Sequence, residues 1–270
     1  MPQASPTAAT AVRFAGVVKH FGRIAALDDV TLDIAGGSFV ALVGQSGSGK
    51  TTLLKCVNRL LLPDAGTVEV DTLRTADTVQ LRRGIGYAFQ GIGLLPHLSV
   101  SANIAVPLRL QRWPASRIAA RLAVLLDLVE LPQSLAVRMP AELSGGQRQR
   151  VGFARAIAAE PSLVLLDEPF GALDPTTRDA LGTRYRSLHT TLGLTSIMVT
   201  HDVQEALLLA DRIVVLRDGR IVADDTPRRL VRGHADAGVA AMFAVPRLQA
   251  ARIAALEDAT EGDAGGAGRG

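Results

Sequence analysis

Short apolar runs alternate along the chain with longer stretches in which apolar positions recur every three or four residues. The runs FVALV (39–43), LVLLD (163–167) and SIMVT (196–200) have the near-continuous apolar character of strands covered on both faces. The longer stretches read as helices, so the expectation is an α/β fold built on a mostly parallel sheet. Ahead of these strands, VRFAGVVKHF (12–21) and LDDVTLDI (27–34) alternate as half-exposed extended segments do, which predicts an N-terminal antiparallel β segment. Between Gln90 and Leu143 the pattern becomes helical only. Ser116 is expected to cap an amphipathic run to Leu131, with Ile118, Leu122, Leu125, Leu126 and Val129 on one face. That stretch predicts an inserted helical subdomain over about 91–160. RIVVLRDGRIVADD (212–225) sets an Asp-Gly pair between two alternating runs, which is a hairpin signal. The expected layout is a disordered lead-in over 1–11 and one domain over 12–232. A short Ala-rich extension then follows over 233–270, ending in EGDAGGAGRG, whose Gly-rich composition predicts a disordered tail.

Composition narrows the class. Hydrophobic residues make up 48% of the 270 positions, yet no stretch reaches the roughly 18–20 uninterrupted apolar residues of a membrane-spanning helix. The opening MPQASPTAAT lacks a basic start and an apolar run, so a cytoplasmic protein is expected. The one cysteine, Cys56, sits in an apolar helical pattern and is expected to be a small buried hydrophobe. Net charge is +3, carried by arginines spread from Arg13 to Arg269 without a dense stripe, so no nucleic-acid groove is expected. The lysines are only Lys19, Lys50 and Lys55.

Lys50 lies in GQSGSGKT (44–51), between an apolar strand and a helix, which is the context a phosphate-binding loop requires. Gly44, Gly47 and Gly49 let the backbone turn with its N–H groups inward, and the helix N-terminus adds a favourable field for an anion. Gln45, Ser46, Ser48 and Thr52 complete the expected cradle. In such sites the lysine bridges the β- and γ-phosphates, and a hydroxyl, here that of Thr51, contacts Mg²⁺ beside an acidic residue that ends a buried strand. Asp167, at the end of LVLLD, fits that description. The chain therefore reads as a P-loop nucleoside triphosphatase.

A second motif, LSGGQ (143–147), precedes RQRVGFARAIAAEP, placing Ser144, Gly145 and Gly146 at a helix start. With it the chain resembles the ABC ATPase family over about residues 12–230, every element of the family pattern standing in the family's order. The resemblance implies ATP and Mg²⁺ as cofactors and an ATPase that pairs head to tail. Ser144, Gly145, Gly146 and Gln147 of one subunit would bind the nucleotide held by the other. It implies Glu168 as the catalytic carboxylate, His201 as the switch contacting the γ-phosphate and Gln90 as a Mg²⁺ and γ-phosphate sensor. It further implies Phe21 as the aromatic stacking on adenine and Asp174, in GALD, as part of a loop crossing the dimer interface. Gly171 stands where serine is commoner in the family.

Zinc-type cysteine clusters, coiled-coil heptads and a second cassette are not seen in the sequence, which argues against the DNA-repair and translation branches of the family; an exporter motor is often fused to its membrane segment, and an unfused exporter motor stays as a lesser alternative. IGYAFQGIGLLPHLSVSANIAVPL (85–108) and the NRL at 58–60 resemble importer motors for quaternary ammonium osmoprotectants such as glycine betaine, choline or carnitine, with another organic solute, an amino acid or a sulfonate, as the alternative. The resemblance implies transmembrane permease partners contacted through Gly91–Val100, an extracytoplasmic binding protein, and a place on the cytoplasmic face of the membrane. The C-terminal sensor domains of larger members are expected to be absent, with Pro246–Glu257 resembling the short extension of tail-less members.

Overall fold

The computed structural model describes residues 11–71, 77–89 and 93–264, the side chains of 250 and 253–264 excepted. The first two strands, β1 (Val12–Phe21) and β2 (Ile24–Ile34), pair antiparallel, and β1 also pairs antiparallel with β4 (Ala65–Val70), giving a three-stranded sheet in the order β2-β1-β4. The second sheet is built from β3 (Phe39–Val43), β5 (Ile85–Ala88), β6 (Leu163–Asp167), β7 (Thr195–Val199), β8 (Arg212–Arg217) and β9 (Arg220–Asp225), in the order β5-β6-β7-β3-β8-β9. All its pairings are parallel except the β8–β9 hairpin, whose turn places Asp218 (φ 50°) and Gly219 (φ 75°) in the left-handed region. Two successive left-handed residues match the twist of tight hairpins, as the Asp-Gly pair predicts.

Every residue of β3, β6 and β7 is buried because helices or the other sheet cover both faces. Alternation along the strands sorts their side chains into two cores. Val40, Leu42, Leu165, Val199 and Leu216 face α1 (Lys50–Val57) and the three-stranded sheet, meeting Leu53, Leu54, Phe14 and Leu27. Phe39, Ala41, Val43, Leu166 and Met198 face the opposite side, toward α3 (Val100–Leu110), α4 (Ala115–Leu128), α5 (Gly145–Ile157) and α6 (Pro175–Leu192), where Ile104, Leu125, Phe153 and Tyr185 sit. Each fully buried side chain of this size contributes about 1.5–3 kcal/mol.

The helical stretch starts earlier than Ser116 suggests. Pro114, fixed at φ −66° and ψ 149°, is the N-cap of α4, so Ser116 lies inside the first turn; Leu125, Leu126 and Val129 are buried as expected. Strand β5 ends at Ala88, two residues before Gln90. Beyond the sheets, α8 (Pro227–Arg232) is followed by α9 (Ala237–Ala264), so the Ala-rich stretch and the first residues of the Gly-rich tail are helical. Asp236 ties the start of α9 to the hairpin through Arg217, 2.5 Å away, and Val239 and Phe243 are buried in the second core. No helix among the described residues is long and apolar enough to cross a membrane.

Candidate functional site

Ligands of open parallel sheets bind beyond the carboxyl ends of the strands. Here three adjacent strands, β3, β7 and β6, deliver Gly44, Thr200–His201 and Asp167–Glu168 to one edge. There they border a cleft of about 460 Å³ lined by Ser46, Gly47, Gly49, Lys50, Thr51, Thr52, Glu168, His201, Ala26 and Phe21.

The loop from Gly44 to Gly49 is shaped by two backbone approaches. A side chain on Gly44 (φ 147°) would stand 2.2 Å from the Leu216 carbonyl oxygen, and one on Gly49 (φ 101°) would stand 2.3 Å from that of Ala26. Both positions need glycine for conformation and for space. The hairpin turn supports the loop from behind, the Gly219 N–H donating to the Ser48 carbonyl at 3.2 Å. Gly49 is the N-cap of α1 and supplies no side-chain cap. The first N–H groups of α1 are thus left to face the cleft.

Lys50 is buried, its ammonium donating to the Gly44 and Gln45 carbonyls at 2.8 and 2.7 Å and to Ser48 Oγ at 3.3 Å. Burial lowers its pKa, while Glu168 and Asp167 oppose that shift. Thr51 Oγ1 donates to Asp167 Oδ1 at 2.9 Å, and the Tyr87 hydroxyl donates to Asp167 Oδ2 at 3.3 Å. Burial pushes the Asp167 carboxyl above its ordinary range, and the bonds from Thr51 and Tyr87 pull it back. Among the described residues no group of three or more His, Cys, Asp or Glu could hold a metal. The donor set present is one hydroxyl beside one carboxylate, hard oxygens that suit Mg²⁺ carried in with substrate phosphates rather than an all-protein cage.

Glu168 follows Asp167 in a left-handed conformation (φ 50°), its N–H bonded to the Val199 carbonyl at 2.9 Å. This turn swings its carboxylate to 3.3 Å from His201 Nδ1. Phe21 stands at the rim, half exposed, with the Lys19 ammonium 5.9 Å from its ring centre.

The other expected residues lie elsewhere. Ser144 and Gln147 form a reciprocal capping box at the start of α5, Ser144 Oγ accepting from the Gln147 N–H at 3.2 Å and Gln147 Oε1 from the Ser144 N–H at 2.9 Å. Asp174 caps α6 through the Thr177 N–H at 3.0 Å. Neither segment lines the cleft of its own chain. A side chain at Gly171 would meet only ordinary contacts, 3.7 Å or more from Glu168, so the glycine there is not enforced by space. Gln90, and Gly91 with Ile92, lie outside the described residues.

Sequence reasoning missed the supporting residues. Tyr87 braces Asp167. Asn103, fully buried, holds the loop before α3 by donating to the Leu95, Leu98 and Ser99 carbonyls at 3.1, 2.8 and 3.1 Å. Asp202 caps α7 (Val203–Leu209), and Arg178 joins Asp202 to the Leu173 carbonyl, both at 3.2 Å. Only Asp202 left a readable trace, as an N-cap three residues before Glu205.

Residues 27–171 match the family model described as ABC transporter. The chain is 45% identical over 253 residues to the carnitine transport ATP-binding protein OpuCA of Listeria monocytogenes, covering 93% of this chain and 63% of that one. It is 45% identical over 234 residues to the glycine betaine uptake system ATP-binding protein YehX of Escherichia coli, covering 86% and 76%. The chain thus spans about 63% of the length of the carnitine relative. Among solved structures, the dimeric structure of MJ0796, described as a bacterial ABC transporter cassette, superposes with a TM-score of 0.76 at 35% identity, over 80% of this chain and 99% of that one.

Proposed function

Because the chain belongs to the ABC transporter family, we propose that it is the ATP-hydrolysing motor of an importer for quaternary ammonium osmoprotectants of the glycine betaine, choline or carnitine type. The observation that carries the motor reading is the convergence of Lys50, the Thr51–Asp167 pair, Glu168 and His201 on one cleft at the ends of adjacent parallel strands. The substrate class is supported by the carnitine and glycine betaine functions of the relatives.

In this reading the uncapped start of α1 and the Lys50 ammonium take the phosphates, Lys50 exchanging loop carbonyls for phosphate oxygens, a stronger charge-assisted bond. Phe21 offers its exposed ring to the adenine face. Mg²⁺, when bound, neutralises charge that develops on the transferred phosphoryl group. Thr51 and Asp167 would hold it, together with Gln90. Glu168 orients the attacking water and accepts its proton, and His201 stands beside that carboxylate to contact the γ-phosphate. Two chains pair head to tail, each supplying Ser144, Gly145, Gly146, Gln147 and Asp174 to the nucleotide of the other. The placement of those residues away from their own cleft supports this pairing, as does the dimeric state of the MJ0796 cassette. Closure with ATP and reopening after hydrolysis form the two-state output.

That output reaches permease subunits through Gly91–Val100, on the cytoplasmic face of the membrane, with a binding protein on the far side capturing the solute. Leu95 in this segment is 37% exposed. A neighbouring apolar groove of about 470 Å³, lined by Phe89, Val106, Leu110 and Arg155, offers room for a partner element.

The test has two arms. Phosphate release by purified protein with MgATP is expected to be measurable and to fall about 10²- to 10⁴-fold in Glu168→Gln, with nucleotide binding kept and a dimer accumulating on gel filtration. Uptake of labelled glycine betaine and choline by cells is expected to vanish without this subunit. Uptake of an amino acid or a sulfonate lost in their place would replace the substrate class and leave the motor standing.

A further inference from the structure

Glu168 occupies a backbone region that is strained for a non-glycine residue and persists only where its surroundings over-determine it. One end of its turn is fixed by the sheet, through the bond from its N–H to Val199. The other end is fixed by one side chain from outside the sheet. Gln149, only 8% exposed, donates from Nε2 to the Glu168 carbonyl at 2.9 Å and accepts at Oε1 from the Ala172 N–H at 2.9 Å. One amide therefore brackets residues 168–172 with both ends of its dipole used in their natural sense. Within the turn itself the bond from the Gly171 N–H to the Glu168 carbonyl is long, 3.4 Å.

Gln149 belongs to α5, five residues beyond the Ser144 cap, and the helix is anchored beneath by buried Val151, Phe153 and Ala154 in the core that also holds Phe170. It does not line the nucleotide cleft. We infer that Gln149 is a positioning residue for the catalytic Glu168: its amide holds the turn that aims the carboxylate, and so joins the base to the helix that begins at Ser144. The inference rests on the ATPase reading above and adds a residue to it.

Two variants of nearly equal volume separate the bonds. Gln149→Glu keeps an acceptor for Ala172 but sets a carboxylate against the Glu168 carbonyl, and Gln149→Met removes both bonds. Each is compared with wild type in kcat for ATP, in Kd for a fluorescent ATP analogue with Mg²⁺, and in the stoichiometry of analogue bound. The expected result is a fall in kcat of at least about ten-fold, since misplacement of about 1 Å costs up to about 10²-fold, with Kd within two-fold and stoichiometry unchanged. Variants whose kcat stays within two-fold of wild type overturn the inference. So does a loss of kcat matched by an equal loss of binding stoichiometry, which marks a merely structural residue. Wild-type protein that binds the analogue but hydrolyses no ATP overturns the ATPase reading itself and the inference with it.

Discussion

Two helices of this molecule begin at glycine-rich motifs, and they begin differently. The start of α1 has Gly49 as its N-cap, no side-chain cap, and a buried lysine as its first residue. The start of α5 is closed on itself, Ser144 and Gln147 each satisfying the other's backbone N–H. Helix N-termini carry unsatisfied donors and a positive field, and the fold either leaves them to a ligand or satisfies them internally. The first entrance opens on the cleft of its own chain, where Glu168 and His201 also stand. The second is satisfied without a ligand and lies outside its own cleft, so any anion arriving there would have to compete with the cap. The same elementary property is thus left open toward a cleft in one place and closed by side chains in the other, which suits the proposed roles of phosphate cradle and contact in trans.

The sharpest way to break this contrast is at Lys50. Lys50→Ala removes the one buried cation of the cradle, and nucleotide affinity should fall about 100-fold or more, equivalent to roughly 2.7 kcal/mol, as measured by equilibrium binding of a fluorescent ATP analogue with Mg²⁺. Ser144→Ala acts on the other entrance. It should leave affinity in the isolated chain within about two-fold, yet lower ATP turnover about ten-fold. Losing the cap should also cost about 1 kcal/mol of stability, a melting shift of roughly 2–4 °C by calorimetry. An affinity loss in Ser144→Ala equal to that in Lys50→Ala would abolish the distinction between the two entrances. The smallest effect concerns Cys56 on the buried side of α1, whose thiol burial pushes up to about 11. A thiol so placed is protonated at neutral pH. A thiol-specific chromogenic reagent at pH 8 should leave it unlabelled in native protein and label it fully in denaturant; rapid native labelling would mean that α1 opens readily.

Much of this was legible in the sequence because the signals are local. A phosphate loop is one continuous stretch between a strand and a helix, so GQSGSGKT announces both its conformation and its ligand. The two strands Phe39–Val43 and Leu163–Asp167 are visible as unbroken apolar runs for the same reason. The start of α4 was misread at Ser116 because a serine cap and a proline boundary compete within three residues, and the proline's fixed φ prevailed. Tyr87, Gln149, Arg178 and Asn103 left no trace, since a tyrosine, a glutamine, an arginine or an asparagine in a helix or strand looks ordinary until its partner is known.

By itself, then, the sequence determined the α/β class, the phosphate loop, the acidic pair at 167–168 and the family to which they belong, each written in neighbouring residues that obey backbone sterics and periodicity. Only the tertiary structure decided that β7 lies between β6 and β3, bringing His201 to 3.3 Å from Glu168, that Tyr87 reaches the Asp167 carboxylate, and that Gln149 reaches the backbone carbonyl of Glu168 from another element. Those contacts join residues far apart in the chain, and the order of strands in a sheet is set by how buried faces pack rather than by any one segment.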